Sequence, residues 1–157
     1  MQIYNRADIV NFMNTGTTEE PVFTRMQGFT AEGTSMNSST YSRRYVDERV
    51  EREDVTGFGT AIAYTLDRIK DNPVHEKICE IHEEELVGQV VEILSVNTVD
   101  NTAKLRTYSV IPDAMGDGTD AYQYSGNFKA AGKITKGTAS ISADELTATF
   151  TPDSASL

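Results

Sequence analysis

The 157-residue chain has no tryptophan, four prolines and a single cysteine. One cysteine, Cys79, excludes an internal disulfide framework and fits a reducing compartment. No apolar run approaches the ~20 residues that a membrane-spanning helix needs. The first six residues also lack the apolar segment of a signal peptide. We therefore expect synthesis in a reducing cytoplasm and no membrane partner.

Basic residues are scarce as well: the chain has 14 Lys and Arg but 24 Asp and Glu, which gives a formal net charge of −10. Attraction to phosphates is the main source of nucleic-acid affinity, so this balance argues against a nucleic-acid-binding surface. An acidic wall would nevertheless suit a conduit through which DNA passes without being held. At this length we expect one domain, 1–157, with a modest core.

Catalytic motifs are missing too: there is no nucleophile elbow, phosphate-binding loop or dinucleotide fingerprint. His75, Cys79 and His82 fall on one helix face and resemble a zinc helix in which Cys replaces the second His. Ile78 and Ile81 must also be buried on this helix, and Cys is commonly a small core residue, so packing is the favoured interpretation. We expect no enzyme, no metal and no cofactor.

The most unusual stretch covers residues 40–71. Nine of the twelve residues in 43–54 are charged, whereas 60–66 are nearly free of charge. Gly57-Phe58-Gly59 lies between these halves and suggests a reversal of the backbone. A strand that is polar on both faces has no core of its own, so it is expected to contact another subunit. The candidates for subunit contacts are Tyr41, Arg43, Arg44, Tyr45, Asp47, Glu48, Arg49, Glu51 and Arg52.

Two local structures fit this charged stretch. Val46 and Val50 are spaced i, i+4, as are Glu48 and Arg52, and both pairs would suit an exposed helix. The nearby tyrosines and valines, with the strand that follows, favour an extended hairpin arm. In that next strand Ile62, Tyr64 and Leu66 alternate with the set Ala61, Ala63, Thr65 and Asp67, a period of two that predicts one buried face.

The remaining chain predicts short strands around one helix. We expect an N-terminal arm at 1–22, an extended loop or arm at 32–56 and a flexible tail at 152–157. Asn72 and Pro73 predict the start of the helix, which ends before Gly88. The fold class is mainly β with one flanking α-helix: two packed antiparallel sheets, as a sandwich or barrel, with an extended hairpin arm.

Four stretches taken in order resemble the tail tube proteins, or major tail proteins, of long-tailed bacteriophages. They are FTRMQGFT at 23–30, RRYVDE at 43–48, DVTGF at 54–58 and SGNFKAAG at 125–132. The likeness spans about residues 20–150 and lies in the order of the segments rather than in one motif.

The resemblance implies six-membered rings whose strands join into a continuous inner β-barrel, and stacked rings that conduct DNA during ejection. It implies synthesis in the cytoplasm of a bacterial host, location in the virion tail and extended arms that reach neighbouring copies. Partners would be further copies, the tape measure, terminator and tail-tip proteins, and DNA in transit without specific binding. With the strand parity above, Ala61, Ala63, Thr65 and Asp67 are the candidates that face the lumen.

Other functions remain open at this point. Tubes of contractile tails and of phage-derived bacteriocins share the implied fold, and the sequence does not separate them. A small metal-dependent hydrolase would use His75, Cys79 and His82. A β-sandwich binding module for surface sugars would need exposed aromatic residues, yet the chain has no tryptophan.

Overall fold

The computed structural model describes residues 2–17, 19–116 and 120–153, which form mainly strands and a single α-helix. The helix, α1, spans Pro73–Glu83, and a 3-10 turn covers Arg6–Asp8. In chain order the strands are β1 (Ile9–Asn14), β2 (Phe23–Arg25), β3 (Phe29–Ser35), β4 (Ser38–Arg43), β5 (Arg52–Phe58), β6 (Ala61–Asp67), β7 (Val90–Asn97), β8 (Thr102–Met115), β9 (Gln123–Ala130), β10 (Thr135–Ile141) and β11 (Thr147–Pro152). The expected fold class is confirmed.

Nine strands form one antiparallel sheet in the order β10-β11-β2-β1-β7-β8-β9-β6-β3, and β4 and β5 form a second, two-stranded sheet. Strand β10 also pairs with β8, so six strands from β10 to β8 close on themselves. The length of β8 allows this, since its residues 102–105 pair with β10 and its later residues pair with β9. The packed layers of the core therefore arise largely from one sheet that curls.

Strand β7 shows how the sheet separates two cores. Val91 and Ile93 belong to the core under the helix, whereas Leu94 and Val96 belong to the core inside the closed strands. A strand that is buried on both faces reads as a short apolar run bounded by turns, which is the pattern at 90–96.

The helix begins as the sequence predicts. The Asn72 side-chain oxygen accepts from the N–H groups of Val74 (3.1 Å) and His75 (3.3 Å), and Pro73 occupies the first helical position. These bonds satisfy donors that have no partner within the helix. Ile78 and Ile81 are buried against the sheet together with Val74.

The N-terminal region differs from the expected arm at 1–22. Strand β1 lies between β2 and β7, and its residues Phe12 and Met13 are fully buried. Burial of this short apolar cluster places the segment inside the sheet. Of the expected tail, Pro152 pairs with Gly137 at the end of β11, and residues 154–157 lie outside the described residues.

Removing the helix cap should destabilise the chain. We expect Asn72→Ala to lower the free energy of unfolding by about 1 kcal/mol, because two backbone N–H groups lose their acceptor. Asn72→Ser, which keeps a capping oxygen, is the control and should stay close to the parent. Urea unfolding at neutral pH measures both, and an Asn72→Ala variant as stable as the parent would show that the cap contributes nothing.

Candidate functional site

The two helix histidines with metal-binding chemistry are buried and engaged by other protein groups. Nδ1 of His75 accepts from the backbone N–H of Ile69 at 2.9 Å, so the proton is on Nε2, which donates to the carbonyl of Gln27. Nε2 of His82 lies 2.7 Å from the hydroxyl of Tyr64. Within the described ranges no group of three or more His, Cys, Asp or Glu side chains is arranged to hold a metal ion.

His82 and Glu83 instead form a polar seam between the helix and strands β6 and β9, through Tyr64 and Tyr124, while His75 binds the backbone at Gln27 and Ile69. Burial lowers the pKa of His75 and His82 and raises the pKa of the Cys79 thiol, because each charged form would lose its solvation. The Tyr124 hydroxyl donates to Glu83 at 2.5 Å, and Arg68 pairs with the same carboxylate at 2.7 Å. The seam fixes the helix on the sheet.

The charged stretch forms the far end of a long hairpin. Strands β4 and β5 pair from Ser38 opposite Phe58 to Arg43 opposite Arg52, and residues 44–51 form the tip between them. We call residues 38–58 the arm. A turn rather than a helix occupies the tip, where the N–H of Glu48 donates to the Tyr45 carbonyl at 3.0 Å. The helical interpretation of this stretch is therefore wrong.

The arm is a continuation of the β3–β6 hairpin. Asn37, in a left-handed conformation with φ of 47°, donates from its side chain to the carbonyl of Gly59 at 2.9 Å. The N–H of Gly59 in turn donates to the carbonyls of Met36 and Asn37. The reversal expected at residues 57–59 does not occur, because these residues lead directly from β5 into β6.

About half of the charged groups in the arm are paired within it. Arg52 makes two hydrogen bonds to Glu48, at 2.8 and 2.9 Å, and Arg43 pairs with Asp54 at 2.5 Å. Arg43 also donates to the hydroxyl of Tyr45 at 2.8 Å. Both guanidiniums lie over the Tyr45 ring, at 5.5 and 5.8 Å from its centre, as in cation–π contacts. These candidates for subunit contacts therefore shape the tip itself.

The other candidates project from the arm without ion pairs. Tyr41 is 56% exposed and lies beneath the guanidinium of Arg43. Val46 and Val50 at the tip are also exposed, because a two-stranded ribbon has no interior in which to bury them. In the described part of the chain no ion pair or side-chain hydrogen bond engages the charged groups of Arg44, Asp47, Arg49 and Glu51.

The alternation predicted for β6 is confirmed, since Ile62, Tyr64 and Leu66 are buried under the helix. The set expected to face the lumen therefore lies on the opposite face, where Ala63 is exposed and Ala61, Thr65 and Asp67 are half-buried. Their partners on neighbouring strands are also small or polar: Gln123, Ser125, Asn127 and Lys129 on β9, and Ala31, Gly33 and Ser35 on β3.

The four-stranded unit β3-β6-β9-β8 has two edges without a partner strand among the described residues, and the sequence did not indicate them. Strand β3 pairs only with β6. At the other side of the four-stranded unit β3-β6-β9-β8, residues 111–115 of β8 pair only with β9, because β7 begins opposite Ser109. Ile111 and Met115 on this second edge are each more than 40% exposed. Such edges present free N–H and C=O groups on which another chain can form a strand.

The sequence matches no protein-family model and no curated protein. The fold is similar to a chain of the tail of an empty gene transfer agent (GTA) particle with C6 symmetry: TM-score 0.61, 16% identity, covering 85% of this chain and 98% of that chain. A chain of the native GTA virion has a TM-score of 0.57 at 16% identity, covering 85% of this chain and 98% of that chain.

A third solved structure is more distant. A chain of the six-fold symmetrised baseplate of the anti-feeding prophage has a TM-score of 0.51 at 10% identity, covering 87% of this chain and 97% of that chain. The three similarities establish that this chain has a tail-tube-like fold. Among the described residues, no helix has the length and apolar character required to span a membrane.

The buried histidines predict a pH dependence of stability. In the unfolded chain their pKa returns to about 6.5, so the unfolded state binds more protons and stability falls as pH is lowered from about 7 to about 5. Carboxylates with a lowered pKa, such as Glu83, add to this loss mainly below that window. His82→Gln, as the control, should show a shallower slope in urea unfolding. Glu32, whose pKa is raised by burial, acts in the opposite direction, because the folded state holds its proton at a higher pH than the unfolded state does. A parent slope no steeper than that of His82→Gln would contradict the burial of a neutral imidazole at position 82.

Proposed function

We propose that the chain is the structural subunit of a phage-like tail tube, built from stacked rings of six copies. The observation that carries the proposal is the pair of unpaired edges on opposite sides of one four-stranded unit. Edge β3 of one copy pairs with residues 111–115 of the next, a heterologous contact that closes into a ring when the rotation is right. The six-fold symmetry of the solved GTA tail and anti-feeding prophage baseplate supports six copies.

In such a ring each copy contributes four strands to one inner barrel, with the helix outside it. The face of β6 that carries Ala61, Ala63, Thr65 and Asp67 then lines the channel. Among the paired residues of β3, β6 and β9 on this face, Asp67 and Lys129 bring one charge of each sign, and the rest are small or neutral. A wall without a basic stripe does not retain phosphates, so DNA can move through it.

The arm extends the contacts beyond the ring. Strand β4 has six residues, which at about 3.3 Å each gives a reach of about 20 Å. Single exposed ion pairs contribute about 0–1 kcal/mol. Several pairs acting together still fix the register between copies and reject wrong partners. Contacts with tape measure, terminator and tail-tip proteins belong at the ends of the resulting tube, in the tail of the virion.

A second candidate of the same class has one observation in its favour. The similarity to a baseplate chain of the anti-feeding prophage supports a tube subunit of a contractile tail or a bacteriocin-like particle. Both candidates share the ring and the channel, and they differ in what surrounds the tube.

Reversing the free charges of the arm should block assembly and leave the fold intact. We expect Arg44→Glu/Arg49→Glu to keep the circular dichroism spectrum of the parent and to lose tubes in negative-stain images of concentrated protein. These two arginines are chosen because Arg43 and Arg52 pair within the arm, so reversing those would distort it.

The matched control is Lys70→Glu/Lys133→Glu, which makes the same change in net charge at two exposed positions outside the arm. It should form tubes as the parent does. If the arm variant forms tubes as readily as this control, the arm is only a solvated surface and has no part in assembly.

A further inference from the structure

Beside the helix, the face of the sheet contains an open trough that the helix does not fill. We call it the socket: a cavity of about 360 Å³ whose lining includes Ile62, Ile93, Ile134, Arg6, Lys104 and Glu32. Ile62 and Ile93 belong to the core under the helix, yet no residue that lines the socket comes from the helix. Ile62 and Ile93 thus form an apolar floor, with only 7% and 3% of their surface exposed, and charged side chains surround it.

Glu32, on β3, places a largely buried carboxylate in the socket. Its side chain is 10% exposed, and its Oε2 accepts from Asn11 at 2.8 Å and from Arg6 at 3.2 Å. Its Oε1 is buried and has no hydrogen-bond partner among the described residues. Burial raises the pKa of this carboxyl group, although both neighbouring donors act against the rise. A buried acceptor without a donor is costly, so this oxygen lacks a group that the described chain does not supply.

At the rim of the socket, a donor lacks an acceptor. Lys104 is exposed, and its ammonium group has no ion pair or hydrogen bond in the described part of the chain. Arg106, which also lines the socket, is already bonded to the carbonyl of Gly132 at 2.7 Å. The socket therefore lacks one donor at its base and one acceptor at its rim.

The tip of the arm has the complementary set of groups. Arg44 and Arg49 are donors without an acceptor in the described residues, and the acids Asp47 and Glu51 are likewise unpaired. Between them Val46 is fully exposed and Val50 is 72% exposed. A guanidinium suits Oε1 of Glu32, a carboxylate suits Lys104, and a valine suits the isoleucine floor.

We propose, building on the proposed function, that the socket receives the tip of the arm of a second copy of this chain. The chain's own tip does not occupy it: the arm starts immediately after β3 and extends about 20 Å from that point. Within the described residues no hydrogen bond or ion pair joins the tip to the socket. The arm and the socket are thus two halves of one contact between copies.

Site-directed cross-linking tests this contact. Val46→Cys protein is mixed with Ile134→Cys protein, concentrated until it assembles and gently oxidised, and the disulfide between positions 46 and 134 is quantified by peptide mass spectrometry. Both positions are exposed, so the variants should fold, and the native Cys79 is only 1% exposed. A disulfide requires the two Cα atoms to approach within about 7 Å.

The control pairs Val46→Cys with Val87→Cys, a position that does not line the socket and is more accessible than Ile134, at 91% against 47% exposed, so accessibility alone would favour the control disulfide. We expect at least ten-fold more of the 46–134 disulfide than of the 46–87 disulfide. Lys104→Glu in the Ile134→Cys copy should reduce the yield several-fold, and Glu51→Lys in the Val46→Cys copy should restore it.

The outcomes separate this inference from the function on which it rests. Tubes that form with equal yields for the two cysteine pairs would overturn the socket and leave the proposed function standing. A parent chain that forms no assembly at any concentration would overturn both.

Discussion

The main constraint on this fold is the backbone pairing of its strands, which leaves two edges of the unit β3-β6-β9-β8 without a partner strand among the described residues. Pairing of β8 with β10 closes six strands and removes most of the edges that a sheet of this size would expose. The same length of β8 that permits closure carries residues 111–115 past the end of β7, where one side has no neighbour. Strand β3 is unpaired at the opposite side of the same unit. Two different edges on one unit favour a directional contact between copies.

The core stabilises each copy by itself, and in the proposed assembly the arm contributes to association. Helix α1 and the polar seam around His82 and Tyr124 stabilise each copy by itself, and the arm has no interior that could do so. Internal pairs such as Arg52 with Glu48 give the tip a defined shape before any partner arrives. In the proposed contact, the unpaired charges of the tip and the buried oxygen of Glu32 specify which surfaces meet.

The sequence predicted those structural features that depend on interactions between neighbouring residues. The Asn72 cap and the alternation in β6 depend on neighbouring residues, and both predictions are confirmed. The position of β1 inside the sheet depends on distant strands, and a short apolar cluster does not reveal it. Strand β8 continues through Pro112 to Met115, because proline is compatible with a strand edge that needs no N–H donor. The socket joins residues from β1, β3 and β8, so no local pattern indicates it.

A cryo-EM reconstruction of assemblies grown from the parent chain tests the central claim most directly. The predicted map has six copies in each ring, with β3 of one copy hydrogen-bonded to residues 111–115 of the next and Ala63 facing the channel. A map in which β3 lies free in solvent, or in which Ile62 and Leu66 line the channel, would contradict it.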